Sequence, residues 1–352
     1  MNILITGGCG FVGSNIAVAL SQKGHRVTCL DNLSRRGSEL ILDRIIDCGC
    51  SFLHADIRNH EDFQKTSDSF DLLIECSAEP SVLVGVEGKD ARYLINVNLA
   101  GAINCFEFCR TRSIPIIFFS TSRVYPYTRI NGLKFRENKT RFEYCGEEKQ
   151  GVSKLGISTD FGLQGARSLY GATKLCAEYI LAEYSTNYRI PSIINRCGVI
   201  AGPWQLGKVD QGVFTYWLAS HFFKKPLRYI GYGGKGKQVR DLLHIEDLIY
   251  LVTAQIETIK DHFGSIWNVG GGRFSNLSLS ETTHLCEEIT GNTVTIRPEA
   301  EERPADVCWY VTDTSAAENV FNWKPTKNSK TILLDIYKWL EANEHIFRKI
   351  LS

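Results

Sequence analysis

The chain carries almost no net charge: 40 Lys and Arg stand against 39 Asp and Glu in 352 residues, a formal +1. With no basic block either, no nucleic acid and no anionic membrane surface is indicated as the main partner, and a small polar or anionic ligand stays open. Long hydrophobic runs are also missing, since none approaches the roughly 20 residues that span a bilayer. The opening "MNILITGGCGFVGSN" lacks a basic stretch, a long apolar stretch and a cleavage site, which predicts a cytoplasmic protein. Internal repeats and low-complexity linkers are absent. The 12 cysteines do not form paired C-x-x-C sets: "CGC" holds Cys48 and Cys50, and "CFEFC" holds Cys105 and Cys109. No metal is expected, and the thiols are expected reduced and packed as small hydrophobes.

What is present is a rhythm. In the first half, short apolar runs alternate with amphipathic stretches, the pattern of a parallel sheet covered by helices. "NILIT", "RVTCLD", "SFLHAD", "DLLIECSA", "PIIFFSTS" and "SIINR" read as successive strands. Val12, Ile16, Ala19 and Leu20 form a helical stripe between the first two, and longer helices are predicted near 91–112 and 170–187. The predicted fold is α/β, a Rossmann-type doubly wound parallel sheet with a smaller mixed C-terminal domain. Residues 127–167 make a long, polar connection of the kind used as a lid or binding loop. After Arg196, aromatics and glycines crowd "GPWQLGKVDQGVFTYW" and "YIGYGGKGKQ", and a helix is predicted near 330–350.

"ITGGCGFVGS" follows the first strand and opens the first helix, setting Gly7, Gly10 and Gly13 in a G-x-x-G-x-x-G pattern with Phe11 and Val12 inside it. Glycine permits a tight turn and close approach to a pyrophosphate, which a helix N-terminus receives with free amides and its positive dipole end. Asp31 ends the second strand, where a carboxylate meets adenosine ribose hydroxyls, and Asn32 follows it. A dinucleotide is therefore expected, NAD rather than NADP, because that carboxylate repels a 2′-phosphate. Arg35 and Arg36 argue the other way. Asp56, followed by Ile57, either accepts from adenine or caps the third strand. "SLYGATK" puts Tyr170 and Lys174 one helical turn apart, where an ammonium favours the ionised phenol and makes a base of it. The competing reading is a solvated face, with Leu175, Tyr179 and Ala182 turned to the core.

Together, G-x-x-G-x-x-G, "STSRVY" after the fifth strand and Y-x-x-x-K resemble the extended short-chain dehydrogenase/reductase family over nearly the whole chain. The resemblance implies that Tyr170 moves the proton of a substrate hydroxyl, that Lys174 holds the nicotinamide ribose and lowers the tyrosine pKa, and that Thr121 hydrogen-bonds the reacting oxygen. Asn98 matches an asparagine behind the cofactor, where a structural role is the alternative. The family's dehydratases carry Asp and Glu after that threonine. Ser122 and Arg123 stand here, and an arginine is no base at accessible pH. "GKQVRDLLHIEDL" resembles the segment in which nucleotide-sugar epimerases set an arginine, here Arg240, on the diphosphate. "ERPADV" puts Arg303 and Asp306 where the family contacts phosphate and ribose, with a surface ion pair as the other reading of Arg303. Arg196, Lys208 and Gln211 complete the expected substrate ligands. "GKVDQG", the 127–167 insert and "GKQVRD" look most like the CDP-tyvelose (CDP-paratose) 2-epimerase branch.

The resemblance thus implies an NAD-dependent nucleotide-sugar epimerase, with a CDP-sugar favoured and C2 as the inverted carbon, and a homodimer formed through the helices near 91–112 and 170–187. A UDP-sugar 4-epimerase uses the same three groups. A silent nucleotide-binding scaffold is the third reading, against which the presence of Thr121, Tyr170 and Lys174 counts. An NAD-binding domain over 1–196, with a returning segment near 237–262, and a nucleotide-sugar domain over 197–352 are expected. Two positions depart from the family: Pro126 replaces the glycine of "VYG", and Val199 replaces an asparagine that touches nucleotide phosphates. His244 reads as a packing histidine, "GGKGKQ" as a turn, and Trp204, Tyr216 and Trp217 as core.

Overall fold

Every residue of the runs LLIE (Leu72–Glu75) and IIFFST (Ile116–Thr121) is buried, as central strands covered on both faces must be. The computed structural model of the chain describes residues 1–66, 69–85, 90–206 and 211–345. In order, the chain forms β1 (Asn2–Thr6), α1 (Phe11–Gln22), β2 (Arg26–Asp31), α2 (Ser38–Asp47), β3 (Ser51–His54), β4 (Leu72–Glu75), α3 (Ala91–Ile95), α4 (Gly101–Arg112) and β5 (Ile116–Thr121). Next come α5 (Tyr127–Asn131), β6 (Phe135–Glu137), β7 (Phe142–Tyr144), α6 (Leu169–Tyr188), β8 (Ser192–Cys197), β9 (Val199–Ala201), α7 (Val213–Phe222), β10 (Leu227–Ile230) and β11 (Val239–His244). The order closes with α8 (Ile245–Thr258), β12 (Phe263–Val269), β13 (Asn276–Ser278), α9 (Leu279–Thr290), β14 (Ile296–Glu299), β15 (Trp309–Tyr310), α10 (Ser315–Phe321) and α11 (Ser329–Ala342).

These elements divide into two units. The first, Met1–Thr121 with Leu169–Arg196 and Ile249–Trp267, is built on a seven-stranded sheet in the order β12-β8-β5-β4-β1-β2-β3. β1 runs parallel to β2 and β4, β2 to β3, and β4 to β5. The strand order therefore reverses between β1 and β4, the switch point at which such sheets open a crevice beyond the strand carboxyl ends. Leu4, Leu73, Phe106, Phe118, Ala177 and Leu181 share its core, so α4 and α6 are held on the sheet by apolar burial worth roughly 1.5–3 kcal/mol for each large side chain. The helix expected over 91–112 is broken by a π turn, Asn96–Ala100, a distortion frequent at functional sites.

The second unit, Ser122–Ser168 with Cys197–Leu248 and Asn268–Ser352, centres on β11, which pairs antiparallel with β13 and parallel with β9 and β15. Trp217 and Leu218 of α7, Leu242 of β11 and Ile332 and Ile336 of α11 fill its core. The division differs from the expected break at 196 in two ways. The 127–167 connection belongs to the second unit, because Phe135 and Tyr144 of its hairpin pack on Trp309, with ring centroids at 5.9 and 5.8 Å, and Ile157 bridges to Thr312. The segment returning to the first unit is Ile249–Trp267 rather than 237–262, since β11 pairs within the second. α11 ends at Ala342, and residues 346–350 of the helix expected near 330–350 lie outside the described residues.

Candidate active site

β1 hands over to α1 through a loop whose glycines are required by contact. Gly7 adopts φ +65°, and a Cβ on it would lie 2.8 Å from the backbone of Cys76 and Ser77 beyond β4. A Cβ on Gly13 would stand 2.3 Å from the Gly7 carbonyl oxygen. Gly10 is the N-cap of α1 with extended backbone, no side chain caps the first turn, and no acidic residue lies in it. The first-turn amides, with half-buried Phe11 and Val12, thus form a cradle for an anion such as a pyrophosphate. Gly8 was missed by motif spacing: its Cβ would come 2.4 Å from that of Cys29, a clash only the folded β2 reveals.

At the end of β2, Asp31 accepts hydrogen bonds from the Cys9 N–H at 3.0 Å and the Leu33 N–H at 2.9 Å, one on each oxygen. Burial pushes its pKa up against these bonds. Each carboxylate oxygen retains a lone pair for a ribose hydroxyl. Asp56, for which an adenine contact and a strand-capping role are both expected, is engaged by its neighbours in the chain and by Asn32. Its oxygens accept from the Arg58 backbone and guanidinium, the shortest contact being 2.6 Å, and from the Asn32 side chain at 2.9 Å. Burial raises its pKa, but Arg58 and Asn32 outweigh that and bring it down to about 2. The carboxylate is spent on holding this turn together. Ile57 packs into the space left by Gly101, whose Cβ would be 2.6 Å from its Cδ1. Asn98, on the π turn, clamps the segment after β4 by accepting from the Glu79 N–H at 2.8 Å and donating to its carbonyl at 3.0 Å.

Thr121 is the last residue of β5, and Tyr170 and Lys174 occupy the first two turns of α6. Tyr170 is half-buried, and its main-chain carbonyl accepts from Thr173 Oγ1 at 2.9 Å. A polar strap ties α6 to its neighbouring strands: Ser120 Oγ donates to Glu178 Oε1, while Arg196 on β8 donates to Glu178 Oε2 from Nε at 3.0 Å and Nη2 at 2.7 Å. Arg196 was expected to bind substrate; the structure makes it the counter-ion of Glu178 instead. The reason is burial: every residue of β8 is enclosed, so a charge on it needs an internal partner. Lys174 is 2% exposed, with Nζ 3.5 Å from Oε2 of the fully buried Glu75 and 4.2 Å from the Phe118 ring centroid. Glu75 was also missed, although an acid ending the otherwise apolar run LLIE was the available signal.

In the second unit, Arg240 of β11 pairs with Asp306, Nη2 to Oδ1 at 2.6 Å, and the Val307 N–H donates to the same oxygen at 2.9 Å. The Arg303 carbonyl accepts from the Asp306 N–H at 3.2 Å, so residues of two distant motifs meet. Arg123, Arg167 and Arg240 line a cavity together with Ser122, Tyr125 and Val199, and among the described residues no acidic one lines it. Such a cavity suits phosphate oxygens, which guanidinium groups engage in pairs. Gln211 lies half-buried just ahead of α7, while Lys208 falls outside the described residues. His244 is fully buried, its Nδ1 accepts from the Glu246 N–H at 3.1 Å, and burial lowers its pKa, as a neutral packing histidine requires. Trp217 stacks on Tyr229 with ring centroids 5.7 Å apart, inside the core.

Residues 3–270 match the model of the NAD dependent epimerase/dehydratase family. CDP-paratose 2-epimerase of Salmonella typhi is 28% identical over 353 residues, covering 97% of this chain and 100% of that protein. UDP-glucose 4-epimerase of Bacillus subtilis is 25% identical over 363 residues, covering 97% and 98%. Among solved structures, UDP-glucuronic acid 4-epimerase from Bacillus cereus, in complex with UDP-glucuronic acid and NAD, gives a TM-score of 0.79 at 26% identity over 97% of this chain and 99% of that one.

Proposed function

Because this chain belongs to the NAD dependent epimerase/dehydratase family, we propose that it inverts C2 of a CDP-hexose, of the CDP-paratose/CDP-tyvelose type, by transient oxidation and re-reduction. Carrying this reading is the similarity to CDP-paratose 2-epimerase along 97% of this chain and 100% of that protein. Ser122 and Arg123 after Thr121 add to it, since an arginine in place of an acid counts against dehydration. A UDP-sugar 4-epimerase is the second reading, supported by the likeness to the Bacillus subtilis and Bacillus cereus enzymes.

The loop fits NAD on its own geometry: an uncapped first turn on α1, glycines whose side chains would strike backbone, and Asp31 at the end of β2. NAD held there would supply a reversible hydride acceptor for the sugar carbon, the hydride returning to the opposite face of that carbon. Tyr170 accepts the proton of the hydroxyl being oxidised and gives it back, Thr121 hydrogen-bonds that oxygen, and the Lys174 ammonium makes the phenol acidic enough to act. Gly7, Gly10, Phe11, Val12 and Gly13 hold the pyrophosphate, with Asp31 and Asn32 on the ribose side. Arg240 and Arg303 are assigned to the phosphates and Asp306 to the nucleotide ribose, with Gln211 as a further substrate ligand. Homodimerisation through α3, α4 and α6 is supported by Tyr93 and Ile95 on α3 and by Tyr179 and Tyr188 on α6, which are exposed. A cytoplasmic setting agrees with the free thiols, and recovery of the protein in a secreted fraction would contradict it.

The test is incubation of purified protein with CDP-paratose, CDP-tyvelose, UDP-glucose and UDP-glucuronic acid, with products identified by NMR. Interconversion of the CDP pair without net reduction of NAD is expected, and in D₂O the inverted carbon should carry no deuterium. Conversion of the UDP-sugars alone would replace this reading with the second one. Solvent deuterium at the inverted carbon would point to enolisation instead. Tyr170→Phe should retain NAD and lose turnover.

A further inference from the structure

We propose that Glu75 is a positioning residue for the base: a dry carboxylate that keeps Lys174 charged and in place, and through it governs the ionisation of Tyr170. This rests on the assignment of Tyr170 and Lys174 made above. An ammonium as enclosed as that of Lys174 is costly unless an anion faces it. Glu75 Oε2 is that anion, 3.5 Å away, and the Phe118 ring face lies on the cation as well.

The other groups around the pair leave the assignment to Lys174 intact. From β1 comes the neutral Thr6 hydroxyl and from α4 the Cys105 thiol, held neutral by burial and by the charge of Glu75. One turn beyond Lys174 on α6, Glu178 is balanced by Arg196 of β8. The Ser77 N–H also donates to Glu75, whose pKa burial pushes up and Lys174 pulls down. Glu75 Oε1 has no hydrogen-bond partner among the described residues, so no second cation competes for the carboxylate there. Glu75 ends β4, at the switch point of the sheet, and therefore reaches Lys174 from the strand next to β5.

Replacing Glu75 by glutamine keeps the shape and removes the charge. With the facing anion gone, the enclosed Lys174 no longer offsets the phenolate, and the Tyr170 titration should rise by about one pH unit. The readout is the near-ultraviolet absorbance of tyrosinate in dinucleotide-free protein, taken as the difference between each protein and its Tyr170→Phe counterpart. An upward displacement in Glu75→Gln, at least half reversed in Glu75→Asp, supports the proposal. A Tyr170 titration that is unmoved or lowered in Glu75→Gln overturns it, whatever happens to stability. Should the glutamine variant fail to fold, Glu75→Asp decides: its withdrawn carboxylate should give a smaller upward displacement, and no displacement overturns the proposal. No substrate or NAD enters this measurement. A protein that epimerises nothing yet shows the displacement loses only the proposed function, while one that epimerises without the displacement loses only the role of Glu75.

Discussion

Glu178→Ala should destabilise the first unit by about 3–5 kcal/mol, the usual cost of stranding one partner of a buried ion pair. Glu178 and Arg196 have side chains 1% and 3% exposed, and their contacts run from 2.7 to 3.2 Å. Alanine removes the carboxylate that balances the guanidinium, takes the acceptor from Ser120 Oγ, and opens a small cavity. Water cannot reach Arg196 cheaply, because β8 is buried at every residue. The two-unit chain is not expected to unfold in one step, so the assay is hydrogen exchange of peptides covering β5, α6 and β8. At about 1.4 kcal/mol for each tenfold change, exchange there should accelerate about 10²- to 10⁴-fold. Glu178→Leu combined with Arg196→Met keeps volume and removes both charges, a replacement that is often neutral or stabilising, so the pair should return to within about 1 kcal/mol of the natural protein. A single variant that loses less than about 1 kcal/mol would refute the claim that the pair is dry. A double variant as damaged as the single one would refute the stranded charge as the cause.

Gly13→Ala should fold and lose NAD affinity by at least about fivefold, because overpacking of about 1–3 kcal/mol falls on the loop itself; calorimetric titration with NAD checks this, and unchanged affinity would show that the loop yields freely. Asp56 has a folded pKa of about 2, below its ordinary 3.8, so its contribution is present above pH 4 and is lost as pH falls from there toward 2. Since Arg58 is 37% exposed, that contribution is discounted to about 1 kcal/mol. Asp56→Asn should lower the melting temperature at pH 7 and leave it unchanged near pH 2; an equal loss at both would assign the effect to packing. Tyr179→Glu should convert a dimer into a monomer by light scattering, and a monomeric natural protein would remove the proposed interface.

The sheet, the glycine loop and the Tyr170–Lys174 spacing were legible because each is written locally. A strand buried on both faces shows as a continuous apolar run, a backbone that must touch backbone shows as glycine, and a helical turn places i and i+4 together. The partners of the charged residues were not legible. Lys174 meets Glu75 across 99 positions, and Arg196 turns inward to Glu178. Asp56 is taken by its own neighbours, and the 127–167 segment joins the second unit by packing on Trp309. A sequence displays how much charge and apolar surface a segment carries, and so it determined the elements and the motif. Only the tertiary structure decided which buried charge faces which, because that pairing depends on distances between segments that no local pattern encodes.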